Sequence, residues 1–288
     1  MPFTPPTTPL YATWASIGGI VFNAEEPAGV GWYLSDLAGW TGSPQGTLTP
    51  VQKPRQPGAW AGLSYAKPRV LVLTGAMVAP TPAQAIDAMD RLDAALTLDS
   101  QTLYVTEAGL QRNIVVRRDG DILPKWESGT ACTFSVQMTA VDPRRFADPL
   151  TASTLLPQSS GGLTIPYTIP YDIASTVVSG AAALTNPGNE TGPVLLQVNG
   201  PCSGPQITHQ GTGAVLTFSS SLVLGTGEFL LVDMDKRIAL GNGQANRSQY
   251  ITSRQWSGFE PGVNSWSFTA AVFNSAAQLT VTATPAWR

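Results

Sequence analysis

Charged side chains are scarce in this sequence. Lys, Arg, Asp and Glu make up 12% of its 288 residues, half the share of about 25% in an ordinary soluble domain. Histidine occurs once, at His209, and cysteine twice, at Cys132 and Cys202. Each shortage excludes something. A net charge of −3 and a pI of 5.1, with no Lys/Arg cluster, exclude the basic footprint of a nucleic-acid binder. One His and two distant Cys cannot supply the short-spaced ligands of a zinc site, nor a disulfide framework. Cys132 lies in an alternating apolar run and reads as a buried free thiol. There is no Gly-x-Ser-x-Gly elbow. With its only imidazole in the turn-rich stretch 205–213, the sequence offers no nucleophile–base pair, and His209 reads as a structural or surface residue. No apolar run approaches the roughly 20 residues that span a bilayer, so no membrane insertion is expected. Met1–Tyr11 carries four prolines and no basic stretch ahead of an apolar core, so no secretory signal is expected.

Glycine and proline are abundant. The 28 glycines and 24 prolines exceed their usual shares of about 7% and 5%, and 43% of the residues are apolar. That combination describes a folded chain of many strands and turns rather than a disordered one. The length allows one large or two ordinary domains. A boundary falls near residue 148, where Asp142-Pro143-Arg144-Arg145-Phe146 and Asp148-Pro149 lead towards Ser159-Ser160-Gly161-Gly162. Each proline pushes the residue before it into extended or turn geometry. The reading is a domain over 1–148, a linker over 149–162 and a second domain over 163–288.

One helix is expected, over 81–96. Thr81-Pro82-Ala83-Gln84 forms a capping box with proline at the first helical position. Ile86, Met89, Leu92 and Leu96 then mark a core-facing stripe. Strands are expected at 69–73, 102–106, 112–118 and 130–141, with Asp119-Gly120-Asp121 as a hairpin turn. The first domain is therefore α+β, an antiparallel sheet carrying one helix. Beyond 162 only strand patterns recur, at 163–169, 176–178, 194–198, 214–218, 228–232, 249–253, 265–272 and 278–283. Gly-, Asn- and Pro-rich turns separate them, the pattern of a β-sandwich. The fold class is thus mainly β.

Catalytic chemistry finds little support. The close carboxylate pairs Glu25-Glu26, Asp119/Asp121 and Asp233/Asp235 could in principle serve glycoside hydrolysis, which needs two carboxyls across a cleft. Asp119 and Asp121 flank a glycine, and Asp233-Met234-Asp235-Lys236 lies between apolar runs, so both read as turns. The Gly-x-Gly segments at 211–213, 225–227 and 241–243 lack the lysine and following helix of a phosphate loop. The basic pairs, Arg117-Arg118, Arg144-Arg145 and Lys236-Arg237, read as solvated or ion-paired. No enzyme, cofactor or metal is indicated. Eight tryptophans remain. Trp14, Trp32, Trp40 and Trp60 lie among Gly and Pro, where they either cover the sheet or anchor a partner chain. Trp256, Trp266 and Trp287 sit in the sandwich, and Trp256 and Trp266 are candidate contacts for a glycan or a partner.

Several stretches carry a family likeness in order along the chain. They are Ile17-Gly18-Gly19-Ile20-Val21-Phe22-Asn23, Trp32-Tyr33-Leu34-Ser35-Asp36-Leu37 with Gly39-Trp40, the Arg69–Gly75 strand with Ala79-Pro80 and the helix, and Val141-Asp142-Pro143-Arg144-Arg145-Phe146. In the second half they are Asn186-Pro187-Gly188-Asn189, Gly192-Pro193-Val194 through Asn199-Gly200-Pro201, Ser253-Arg254-Gln255-Trp256, and Pro261 through Phe268. Together they resemble the distal tail protein family of phages with long non-contractile tails, especially phages of actinobacteria. The resemblance implies a structural virion protein at the distal end of the tail, made in the host cytoplasm. It implies an N-terminal barrel-like domain that closes a homo-hexameric ring around a DNA channel, and a galectin-like C-terminal sandwich. The implied partners are the tail tube, tail-tip hub and tape measure proteins, with DNA only passing through. It brings no catalytic residues. A carbohydrate-binding tail module is the alternative. Of the charged residues, 24 lie in 1–148 and 11 in 149–288. The charge-poor part is therefore the sandwich, which suits exposure or docking of other tail parts.

Overall fold

The structure is a computed structural model, and it describes residues 13–160, 176–178, 180–272 and 274–288. The strand expected at 163–169, linker residues 161–162 and Met1–Tyr11 lie outside the described residues. Contacts divide the chain into two units, 1–147 with Arg288 and 148–287.

The first unit is a sheet that closes on itself. Its strands are β1 (Thr13–Ile17), β2 (Ile20–Phe22), β3 (Ala24–Glu25), β4 (Gly31–Ala38), the short β5 (Gly46–Thr47), β6 (Pro50–Gln52), β7 (Ala59–Ala61) and β8 (Tyr65–Ala66), then β9 (Arg69–Val78), β10 (Gln101–Glu107), β11 (Leu110–Ser128) and β12 (Ala131–Ala140). The hydrogen-bonded order is β2-β1-β10-β11-β12-β9-β4-β3, and the pairings along it are antiparallel. The two ends of that order, β2 and β3, are consecutive in the chain. Only Asn23 separates them, with φ +61°. Its N–H donates to Trp32 O at 2.7 Å, and its Oδ1 accepts from Leu34 N at 3.0 Å. The bend carries one strand from the β1 edge to the β4 edge, so the sheet becomes barrel-like. Asparagine tolerates the left-handed region because its short polar side chain bonds locally.

Tight turns fit the same geometry. Gly18-Gly19 and Ala108-Gly109 have both central residues at positive φ, the type I′ hairpin geometry whose twist matches that of the flanking strands. Gly18 is also required sterically, because a Cβ there would meet the Ala95 carbonyl oxygen at 2.3 Å. The helix α1 (Pro82–Ala95) has its expected cap, with Thr81 accepting from Gln84 N. Its buried face is Ala85, Ala88 and Leu92. Ile86, expected in the core stripe, is 58% exposed. Two alanines take its place, and their small side chains let the helix approach the sheet closely. Under the helix lies a cluster of Phe22, Trp32 and Phe134, with ring centroids 6.1–6.4 Å apart.

The Asp119-Gly120-Asp121 turn is corrected. These residues lie inside β11, where the register against β12 shifts between Arg118 and Ile122. They form a bulge, fastened by Thr139 Oγ1 donating to Asp119 Oδ2 at 2.7 Å. An Asp-Gly pair serves a bulge as well as a turn, because both need an unusual φ.

The second unit is a β-sandwich. After β13 (Arg145–Phe146) come β14 (Leu150–Leu155), β15 (Gln158–Ser160), β16 (Thr176–Val178), β17 (Ala181–Asn186), β18 (Val194–Asn199), β19 (Cys202–His209), β20 (Val215–Phe218), β21 (Val223–Leu224), β22 (Phe229–Asp233), β23 (Ile238–Gly241), β24 (Ala245–Asn246), β25 (Ile251–Arg254), β26 (Gly262–Val272) and β27 (Gln278–Ala283). One sheet has the order β14-β27-β18-β22-β23-β24, the other β17-β26-β19-β20-β25. Inward residues of both, among them Leu196, Val232 and Leu279 facing Ile207, Phe218 and Phe268, share one core. Residues 150–155, expected in a linker, form an edge strand, with Thr151 opposite Thr282. Proline at 149 marks the strand's start rather than a flexible tether. The stretch expected as turns before His209 is also strand, because β19 finds partners on both sides, β20 and β26.

The Asn23 bend gives a direct test. Asn23→Gly keeps the left-handed φ and loses one hydrogen-bond acceptor, so it should cost about 1 kcal/mol. Asn23→Val adds a strained β-branched residue and should cost about 3 kcal/mol in all. Chemical denaturation of the three proteins should give that order, and equal stabilities would remove Asn23 as the closing element.

Candidate interaction surfaces and a cleft

Two kinds of surface stand out, an exposed arm on the first unit and a small cleft on the second. The arm is the excursion between β4 and β9. It is built of two short ribbons, β5 with β8 and β6 with β7. Leu48, Val51, Trp60, Leu63 and Tyr65 are exposed along it, Leu63 at 79% and Trp60 at 54%. Its charges are Lys53, Arg55 and Lys67, all basic, while the whole chain is net negative. The tip of the β11–β12 hairpin adds exposed Leu123 and Trp126.

The arm has a fixed root. Arg69, its last neighbour, is 2% exposed. Its Nη1 donates to the carbonyls of Gly39, Trp40 and Gly42, at 2.6, 3.2 and 2.6 Å, and its Nε donates to Pro143 O at 2.9 Å. Both roots of the arm thus meet on one guanidinium. Burial lowers its pKa, yet a guanidinium stays charged in proteins. Trp40 is buried beside it. Its Nε1 donates to Glu107 Oε2 at 2.8 Å, and the Arg145 guanidinium lies 5.4 Å from its ring centre. Arg145, desolvated and near Arg69 and Arg112, has its pKa pulled down to about 10. Of the four early tryptophans, Trp32 and Trp40 are core, while Trp14 and Trp60 are exposed.

The sandwich tryptophans separate as well. Trp266 is fully buried, which corrects its expected role as an exposed contact. It lies on β26 with its ring 5.1 Å from that of His209 and 6.1 Å from that of Phe259. Its Nε1 donates to Ser257 Oγ at 3.3 Å. His209 is structural, bridging Thr212 Oγ1 at 2.7 Å and Asn264 Oδ1 at 3.0 Å. Trp256 is half-buried and lines a cleft of about 180 Å³ together with Thr191, Val194, Met234, Asp235, Arg237 and Ser257. The sequence therefore brings Trp256 to a site and places Trp266 beneath it. Asp235 and Arg237 escape a reading of the sequence, because Asp233–Lys236 scans as a turn. It is one: Asp233 Oδ1 accepts from the backbone N–H groups of Asp235 and Lys236. Nothing in the sequence marks Arg237, whose φ of +59° belongs to the hairpin loop between Asp233 and Ile238.

No two of the close carboxylates line this cleft, and Asp235 is its one acid among the described residues. Among the described residues no group of three or more His, Cys, Asp and Glu could hold a metal, and no helix is long and apolar enough to cross a membrane.

The chain superposes on the crystal structure of SPP1 Dit (gp 19.1), a protein described as a paradigm of the hub adsorption apparatus in phages infecting Gram-positive hosts. The TM-score is 0.66 at 10% identity, over 96% of this chain and 100% of that one. The fold is Dit-like. Chains of the phage P2 baseplate in its activated conformation, with Ca and with Sr, score 0.49 and 0.48 at 11% and 10% identity, over 94% of this chain and 98% of theirs. No family model and no curated protein matches the sequence. At such identities the likeness is one of fold.

The thiols offer a check on the buried regions. Both cysteines are free and buried. Burial raises the Cys132 pKa and pushes Cys202 up to about 11 from an ordinary 9.0. The folded state then holds the Cys202 proton longer than the unfolded state. The stability this provides is complete below pH 9.0 and is lost as pH rises towards about 11. Relative to Cys202→Val, the parent should lose about 2 kcal/mol across that window, measured by denaturant melts. Parallel pH profiles would contradict a desolvated Cys202.

Proposed function

We propose that the chain is a structural protein of the distal end of a long, non-contractile phage tail. In this reading copies of the first unit assemble into a closed ring, six in the arrangement the sequence resemblance implies. The ring joins the tail tube to the tail-tip hub and leaves a channel for DNA, and the tape measure protein is a further partner. The sandwich, galectin-like by the same resemblance, faces other tail parts. The protein acts by assembly and carries out no reaction. The attribution to an actinobacterial phage rests on the sequence motifs alone.

The observation that carries this reading is the superposition on SPP1 Dit over essentially the full length of both chains. The arm supports self-association. Monomeric soluble proteins rarely leave large contiguous apolar patches exposed, and the arm displays Leu48, Val51, Trp60, Leu63 and Tyr65. Its three basic residues, with no acidic one between residues 41 and 68, face a remainder of the chain that is correspondingly more acidic. Acidic groups on a neighbouring copy would attract such an arm.

Light scattering on the purified chain should give a mass several times 30.3 kDa, six times in the resembling arrangement. The double variant Trp60→Ser, Leu63→Ser should lower the assembled fraction at least tenfold. Its melting temperature as a dilute monomer should be unchanged, because surface substitutions usually fall within about 0.5 kcal/mol. A chain that remains at 30.3 kDa at every concentration, alone and with its tail-tube protein, would overturn the reading.

A further inference from the structure

We propose that the cleft beside Trp256 is a binding site for one pyranose ring of a surface glycan. The site lies wholly within the second unit and holds whether or not the first unit forms a ring.

Three loops build it. Residues 191–194 and 256–259 are tied by Gly192 and Phe259, each donating its N–H to the other's carbonyl, at 3.0 and 2.9 Å. The third loop is tied in by Met234 N donating to Val194 O at 3.0 Å, and it is shaped by the Asp233 turn. The packing leaves no slack, since a Cβ on Gly258 would lie 2.2 Å from Thr191 Cγ2. From beneath, buried Trp266 holds Ser257. The cleft is therefore preorganised, which lowers the entropic cost of binding.

Its chemistry combines one flat apolar wall with a polar rim. Trp256, Val194 and Met234 are its apolar lining and Asp235 and Arg237 its charged groups. The Thr191 hydroxyl is donated to Glu260 at 2.9 Å and Ser257 Oγ accepts from Trp266, so sugar hydroxyls would meet mainly Asp235 and Arg237. A pyranose has the matching form, an apolar face of C–H groups and an edge of hydroxyls that both donate and accept. Carboxylate and guanidinium together serve both roles. The volume of about 180 Å³ is below the roughly 300–1,000 Å³ of pockets for drug-sized ligands, and suits a single ring. A proline-rich peptide, the other class that favours tryptophan, docks in grooves lined by several aromatics, and this cleft has one. Arg237 takes the left-handed position that ends the hairpin loop between Asp233 and Ile238, and this places its guanidinium at the rim of the cleft.

Saturation-transfer NMR on the full-length protein, with glucose, galactose, N-acetylglucosamine and rhamnose as probes, tests the assignment. At least one sugar should bind with a Kd of about 1 mM, ordinary for a single weakly held ring. Trp256→Ala should weaken it at least tenfold. Because that change removes packing, Arg237→Gly is the second variant. Glycine suits the positive φ, so its melting temperature should equal or exceed the parent's while sugar binding falls at least threefold. Absence of transfer to all four sugars would overturn the proposal, as would binding that both variants leave intact. Binding of a proline-rich peptide that depends on Trp256, with no sugar competing, would also overturn it.

Discussion

The first unit depends on the bend at Asn23. A sheet with free ends exposes rows of unpaired backbone groups and invites uncontrolled pairing. Here the chain turns at Asn23 and spends two residues on the far edge, so β2 and β3 occupy the two ends of one path. Closure wraps the strands around Phe22, Trp32 and Phe134 and buries all three rings. Trp32 is held at the same seam, its Nε1 donating to Glu26 at 2.7 Å. Arg91 on the helix bonds Glu26 in turn and lowers the pKa of that carboxylate. Corner, barrel and helix are thus one connected arrangement.

Closure also decides how the unit can meet a partner. The ends of the sheet, β2 and β3, are three and two residues long, so the main sheet offers little edge for strand addition. Two features project, the arm over residues 41–68 and the long β11–β12 hairpin, and both carry exposed aromatic and aliphatic side chains. Arg69 fixes the arm where it leaves the barrel, binding carbonyls on one root from its place on the other. A buried guanidinium is costly unless its donors are used; Nη1 and Nε make four hydrogen bonds to backbone carbonyls, while the buried Nη2 has no partner. The arrangement gives a rooted base with an exposed apolar, basic extension.

Local signals in the sequence were legible where local physics decides the structure. Thr81-Pro82-Ala83-Gln84 set the helix start, and Asp233-Met234-Asp235-Lys236 formed the turn its composition suggests. The mainly β class with one helix was legible for the same reason. What escaped depended on contacts distant in sequence. Ile86 fits the helical stripe, yet the sheet is too close for it and takes Ala85 and Ala88 instead. Asp119-Gly120-Asp121 has hairpin composition, but β12 continues past it and makes it a bulge. Trp256 and Trp266 look equivalent along the chain. One lies at a loop and the other on β26, whose alternation turns it into the core. Asn23 is an ordinary asparagine until the order of strands shows which edges it joins.

The central claim is a place in the virion, and immunogold electron microscopy of intact particles tests it most directly. Antibody raised against this chain should place gold at the far end of the tail. Gold on the head or along the tube, or virions that carry none of the protein, would contradict the claim.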